Sequence, residues 1–187
     1  MTRGTRAPKK RPESAVIRDA RSSDAADVAA LMTELGYPTT PRQMASRLRS
    51  IGTSGDYHSV SAVDGDEVIG FVGAMIGYGF ECDAPHGRII ALAVKESWRR
   101  RGIGTLLVAA AEEWLSRSGA VACIINSGKS RFNAHGFYRS LGYRATGIRF
   151  AKAGGPTSNT AMQRTVPRVT TLAGIGGTRR SRPKPGR

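Results

Sequence analysis

The stretch from Ile89 to Leu107 constrains this chain more than any other. Residues Ile89 to Val94 form an unbroken apolar run, short enough to predict a strand buried on both faces. A polar turn follows, then Arg99, Arg100, Arg101, Gly102, Ile103 and Gly104. From Ile103 the period changes. Ile103, Leu106, Leu107, Ala110 and Trp114 recur at three- and four-residue steps, which predicts an amphipathic helix. Gly119 is placed to stop it. Three arginines and two glycines therefore fall where a core strand feeds a helix N-terminus.

Such a junction has specific physics. The first helical turn leaves backbone N–H groups unpaired at the positive end of the dipole. Glycines remove the Cβ atoms that hold a ligand off the backbone, and arginines add charge. The product is a cradle for phosphate oxygens. The same glycines could equally serve only to let strand and helix pack closely. Two other phosphate motifs fail. The third glycine of G-x-G-x-x-G would fall at Leu107, and the first glycine of a P-loop ending Gly128, Lys129, Ser130 would fall at Cys123.

Arg99-x-x-Gly102-x-Gly104 resembles the (Q/R)-x-x-G-x-(G/A) acyl-CoA signature of the GNAT superfamily of N-acetyltransferases. Further on, Ala134, Phe137, Tyr138, Gly142 and Tyr143, spaced A-x-x-F-Y-x-x-x-G-Y, resemble that superfamily's C-terminal aromatic helix. Order and separation fit, and the resemblance covers residues 15 to 152. It implies the GNAT fold, an α/β (α+β) domain with a mixed central sheet flanked by helices. It also implies acetyl-CoA as co-substrate, with no metal.

Three segments are expected: a basic, disordered tail over 1–13, the acetyltransferase domain over 14–152, and a Gly/Pro/Arg-rich tail over 153–187. The net charge of +15 suggests nucleic acid at first. Its distribution argues otherwise. Residues 1–12 hold five Lys/Arg and residues 164–187 hold seven, neither with an acid, leaving roughly +3 for the remainder. Cys82 and Cys123 stand far apart, and no Cys/His cluster supports a disulfide framework or a zinc site. Two reduced cysteines fit a cytoplasmic protein. No apolar run approaches the ~18 residues of a membrane span, and the basic N-terminus lacks the apolar segment of a signal peptide.

Along the chain, a first strand is expected over 15–18. A helix capped by Ser23 or Asp24 should bury Ala25, Val28, Leu31, Met32 and Leu35 and end at Gly36. Thr40 and Pro41 should open a second helix carrying Met44, Leu48 and Ile51. Strands over 57–63 and 67–78 flank a turn at Asp64, Gly65 and Asp66, and 79–87 reads as a loop. A buried strand over 121–126, a polar crossover over 127–132, a helix capped by Asn133 and a last strand over 144–151 complete the order.

Acetyl transfer to an amine needs the pyrophosphate held, the pantetheine aligned, the ammonium deprotonated and the thiolate protonated. The resemblance implies that Arg99, Arg100, Arg101, Gly102, Ile103, Gly104 and Thr105 take the phosphates. It implies that Leu92, Ala93 and Val94 pair with the pantetheine like an added strand. Tyr138 lies on the apolar face with Ala134 and Leu141, as a core tyrosine would; the resemblance makes it the acid for the thiolate. Arg131 stands where many relatives have Asn and is read as a cofactor contact, a substrate contact or a surface arginine. Some relatives use a Glu on the central strand as base, but Arg88 to Val94 holds no carboxylate. Glu81, Asp83 and His86, or ordered water near Asn126 or Ser127, remain as alternatives. Glu81, Asp83 and Asn126 are also the candidate acceptor contacts. His135 reads as a surface helix residue.

The partner expected is a small-molecule or peptide amine, with no membrane. A homodimer would be ordinary for the superfamily. The competing reading is a nucleic-acid-associated binding protein that uses basic tails on a GNAT-like domain. Those tails offer weak phosphate contact but no aromatic residues for base stacking.

Overall fold

The computed structural model describes residues 15–148 and residue 150. In chain order, β1 spans Val16–Asp19, α1 Ala25–Glu34, α2 Pro41–Gly52, β2 Tyr57–Asp64, β3 Glu67–Gly77, β4 His86–Val94, α3 Ile103–Arg117, β5 Cys123–Ile125 and α4 Phe132–Ser140. The five strands form one sheet in the order β1-β2-β3-β4-β5. The first four are antiparallel, and β5 joins β4 in parallel. This is the expected mixed sheet flanked by helices. Both basic tails lie outside the described residues.

Local chemistry explains most boundaries. Thr40 accepts a hydrogen bond from the Gln43 amide while the Gln43 side chain reaches back to Thr40, with proline at the first helical position. Thr40 and Pro41 thus start α2 as the sequence predicts, and Gln43 completes a capping box. Gly65, at φ +57°, closes the two-residue turn between β2 and β3.

The sheet buries both faces. On one, α3 lays Ile103, Leu107, Val108, Ala111 and Leu115 against Val60, Ala62, Ile69, Val72, Ala74 and Ile89. Each buried Val, Leu or Ile among them is worth about 1.5–3 kcal/mol. The helix sits close because the sheet is notched beneath it. A Cβ on Gly70 would stand 2.9 Å from Leu107, and one on Gly87 2.6 Å from Leu115. On the other face, α1 and α2 contribute Ala25, Val28, Ala29, Leu31 and Met44 against Val63, Val68, Phe71 and Ala93.

Two β-bulges reset the alternation. Gly73 pairs Ala91 and Ala74 pairs Ile89, so Ile90 is an extra residue in β4. Its insertion exchanges the faces. Ile89 packs towards α3, as Leu92 and Val94 do, whereas Ala91 and Ala93 pack towards α1. Ile69 is the corresponding extra residue in β3, opposite Ala62 and Val63.

Several expectations are corrected. Ile90 is 48% exposed, so β4 is not buried on both faces throughout; neither α1 nor α2 extends over the bulge. Strand β4 begins at His86, opposite Gly77, and takes in part of the expected loop. Asp24 stands at the N-cap of α1, but its side chain makes no capping hydrogen bond to that helix. It turns inward, where Arg18 donates two hydrogen bonds to its carboxylate at 2.8 and 2.9 Å and the Ser61 hydroxyl donates a third at 2.9 Å. The N-cap of α4 is Arg131, not Asn133. Strand β5 is only three residues long, and residues 144–148 form no strand.

Candidate functional site

Strands β4 and β5 pair only at Gly87–Cys123, Arg88–Ile124 and Ile89–Ile125. Beyond Ile89 they part, at the Ile90 bulge. Leu92, Ala93 and Val94 continue to pair with β3 on one side; on the other, no described strand takes their backbone groups. The parallel partners thus open into a cleft with an unpaired strand edge along one wall. Asn126 and Ser127 follow β5 on the other side of this divergence.

The end of β4 passes through the 3₁₀ turn Glu96–Trp98 into the arginine turn. Arg100 has φ +61° and Gly102 φ +86°. A non-glycine residue in this region stores about 1 kcal/mol or more of strain. Left-handed residues in a turn swing successive N–H groups to one side, the geometry of an anion-binding nest. Gly102 is the N-cap of α3, and no side chain caps that helix. Nothing lies within 4 Å of where a Cβ on Gly102 would stand. Gly104 differs: its Cβ position is 3.2 Å from the Phe137 ring. This second glycine lets α4 close on the first turn of α3, so for it the packing alternative holds.

The arginines have separate environments. Arg99 turns back, its Nε donating to the Val94 carbonyl at 2.9 Å and its Nη2 pairing with Glu34 at 3.3 Å. Arg100 is exposed. Arg101 lies over the Trp98 ring at 4.8 Å, with its Nε buried and without a hydrogen-bond partner. Thr105 is exposed on the first turn of α3.

Tyr138 follows Phe137 on α4 and is half-buried between aromatic neighbours, 5.4 Å from Phe137 and 6.0 Å from Tyr143 by ring centroid. Its hydroxyl makes no hydrogen bond among the described residues. Burial raises its pKa, against a smaller opposing pull from the Arg131 charge. The phenol is therefore a proton donor at neutral pH.

The remaining candidates are spread more widely. Glu81 and Asp83 are exposed in the loop before β4, neither in an ion pair among the described residues. His86 opens β4 with its Nε2 3.6 Å from the Cys82 sulfur. His135 sits 2.9 Å from the Gly128 carbonyl and braces the crossover into α4. Arg131 donates to the Leu35 carbonyl at the end of α1. No group of three or more His, Cys, Asp or Glu that could hold a metal occurs among the described residues, and no described helix is long and apolar enough to cross a membrane.

Two features escape sequence reasoning. Glu34 receives Arg99 and also the Glu96 amide at 3.2 Å; a contact across more than sixty residues leaves no local pattern. Tyr143 donates to Glu112 at 2.5 Å and approaches the Cys123 sulfur at 3.2 Å. Only its place in the aromatic motif signalled it.

The model of the Acetyltransferase (GNAT) family matches residues 26–143, from α1 through the cleft and α4. The chain belongs to the GNAT family and is an acetyltransferase. No curated protein matches it. Among solved structures, this acetyltransferase is similar to a GNAT family acetyltransferase of Staphylococcus aureus, at 27% identity and TM-score 0.64, covering 75% of this chain and 98% of the other. It shares the fold of the Arabidopsis thaliana glucosamine-6-phosphate N-acetyltransferase, at 19% identity, TM-score 0.67, 75% and 99% coverage. The same holds for AAC(6')-Iy in complex with the bisubstrate analogue CoA-S-monomethyl-acetylneamine, at 20% identity, TM-score 0.66, 75% and 97% coverage.

Proposed function

We propose that this acetyltransferase moves an acetyl group from acetyl-CoA to a primary amine on a small molecule or peptide. The observation that carries the reading is the parting of β4 and β5 beside an uncapped helix N-terminus. An unpaired strand edge and the uncapped first turn of α3 lie consecutively along the chain, as an elongated ligand with a pyrophosphate requires.

In this reading, the backbone of Leu92, Ala93 and Val94 aligns the pantetheine. The turn from Arg99 to Thr105 takes the phosphates, with Gly102 leaving room for close approach. Arg100 and Arg101 supply positive charge, while Arg99 fixes the turn to Val94 and Glu34. The acceptor amine, freed of its proton, attacks the thioester carbonyl. A C–N bond forms, and the carbonyl pair moves to oxygen. On collapse the C–S bond breaks, the nitrogen sheds its second proton to solvent, and the Tyr138 hydroxyl gives its proton to the departing sulfur. The products are the amide and CoA thiol, and solvent restores the Tyr138 proton. Glu81, Asp83 or water near Asn126 accepts the amine proton. Two structural neighbours, the glucosamine-6-phosphate N-acetyltransferase and AAC(6')-Iy with its CoA–acetylneamine bisubstrate analogue, support an amine as acceptor.

The test is calorimetric titration with acetyl-CoA, followed by a screen of amines read by release of free thiol. Micromolar acetyl-CoA binding, lost in Gly102→Val, is expected. A folded protein with no affinity for acetyl-CoA rejects the reading.

A further inference from the structure

Arg131 joins parts of the chain that sequence keeps far apart. It is the N-cap of α4, seven residues before Tyr138. Its stem passes over Gly128, whose Cβ position is 4.0 Å from Arg131 Cγ and Cδ. Its Nη2 then donates to the carbonyl of Leu35, the residue that closes α1. Gly36 follows at φ +99°, with its Cβ position 3.9 Å from that same Nη2. A side chain there would be strained by the backbone and would stand in ordinary contact with the guanidinium. Arg131 forms no ion pair among the described residues, so its hydrogen bond to Leu35 holds it in place.

The same end of α1 also holds the arginine turn. Glu34, one residue before Leu35, receives both Arg99 and the Glu96 amide. Two neighbouring residues thus anchor the entry to α3 and the entry to α4. The turn beyond them is itself well bonded: Gly36 N donates to Thr33 O at 2.9 Å, Tyr37 N to Met32 O at 2.8 Å, and Thr39 N to the Thr33 hydroxyl at 3.3 Å. Each of these amides is bonded back to the last turn of α1, so its exchange reports the opening of that turn.

We propose that Arg131 is a positioning residue. It straps α4 to the end of α1, and so fixes the helix that carries Tyr138 relative to the turn held by Glu34. This rests on the acetyl-transfer reading for its effect on turnover, but not for the strap itself. Reach and geometry matter here more than charge. A guanidinium on a long stem can donate to a carbonyl across the gap; an Asn at this position could not. Lysine keeps much of the reach and a donor, without the planar fork.

The experiment compares Arg131→Gln and Arg131→Lys with wild type by hydrogen exchange, acetyl-CoA calorimetry and turnover with an amine returned by the free-thiol screen. In Arg131→Gln, exchange of the amides of Gly36, Tyr37 and Thr39 should rise ~10-fold or more. Turnover should fall about 10–100-fold through misalignment, with acetyl-CoA affinity held within about threefold (under 0.7 kcal/mol). Arg131→Lys should restore most of the protection and much of kcat. Wild-type exchange over 36–39 in folded Arg131→Gln overturns the strap whatever happens to turnover. Weakened acetyl-CoA binding with unchanged exchange overturns it in favour of a direct anion contact. Wild-type kcat in Tyr138→Phe would instead reject the acid role, and the exchange result would still judge Arg131.

Discussion

Tyr138 and Tyr143 lie five residues apart, and removing the hydroxyl from each should have opposite consequences. The Tyr138 hydroxyl has no protein partner among the described residues. Tyr138→Phe keeps the ring beside Phe137 and Tyr143 and removes only an unpaired polar atom, so stability should stay within about 0.5 kcal/mol. The loss of an acid for the departing sulfur should lower kcat roughly 10–10³-fold, or about 1.4–4 kcal/mol of barrier. Tyr143 is bonded to Glu112 and near Cys123. Tyr143→Phe leaves those part-buried groups without their partner, at about 1–3 kcal/mol. At roughly 2–8 °C per kcal/mol, the melting temperature should drop by several degrees or more, with kcat close to wild type at 20 °C. Thermal melts and steady-state kinetics on both variants separate the cases. Wild-type kcat in Tyr138→Phe refutes the acid role. A destabilised Tyr138→Phe with a fully stable Tyr143→Phe refutes the hydrogen-bond argument itself.

Asp24→Asn should cost about 3 kcal/mol, because it leaves Arg18 facing a buried group without charge; urea melts would measure it, and a loss under 1 kcal/mol would contradict the pairing. Burial opposes Asp24 ionisation, yet the bonds from Arg18, the Arg21 amide and Ser61 outweigh it, and its pKa is lowered. The unfolded chain therefore takes up this proton first. The stability Asp24 contributes is complete above pH ~4 and drains away as pH falls below it, an acid slope that Asp24→Asn should flatten. Tyr138 is shifted upward, so any alkaline fall in kcat caused by its ionisation should come above pH ~10; a midpoint near pH 8 must belong to another group. Deleting residues 1–12 and 165–187 should leave small-amine acetylation nearly unchanged and abolish salt-dependent DNA binding by the full chain, if such binding exists; a large loss of turnover in the folded, shortened protein would contradict the domain boundary.

What the sequence revealed and what it hid have separate physical causes. Periodicity located α3 and β4 because buried faces repeat locally. The Thr40–Pro41 start of α2 was legible for the same reason: the signal lies within one helical turn. The Ile90 bulge was not, since a run of apolar residues looks the same whether or not one of them is extra. Asp24 misled because an aspartate before a helix is usually a cap, and only the distant Arg18 and Ser61 make an inward position tolerable. The arginine turn was visible as a motif. That Arg99 would face Glu34, and that Gly104 would make room for Phe137, depended on how α1 and α4 return to the junction.

The three-residue ladder between β4 and β5 has a consequence for motion. Strands β2, β3 and β4 are knit by antiparallel ladders of eight pairs each and β1 by four, whereas β5 and α4 are attached through three parallel pairs, the packing of Phe137, Leu141 and Tyr143, and the Arg131–Leu35 and Tyr143–Glu112 hydrogen bonds. Cooperative opening follows the weakest seam. The β5–α4 segment should therefore detach from an intact β1–β4 platform at a free energy well below that of global unfolding. The platform keeps the arginine turn, while the departing piece carries Tyr138. In the proposed reading, breathing along this seam would interrupt proton donation by Tyr138 without dismantling the arginine turn, so the protein could hold its donor substrate through openings that briefly silence transfer.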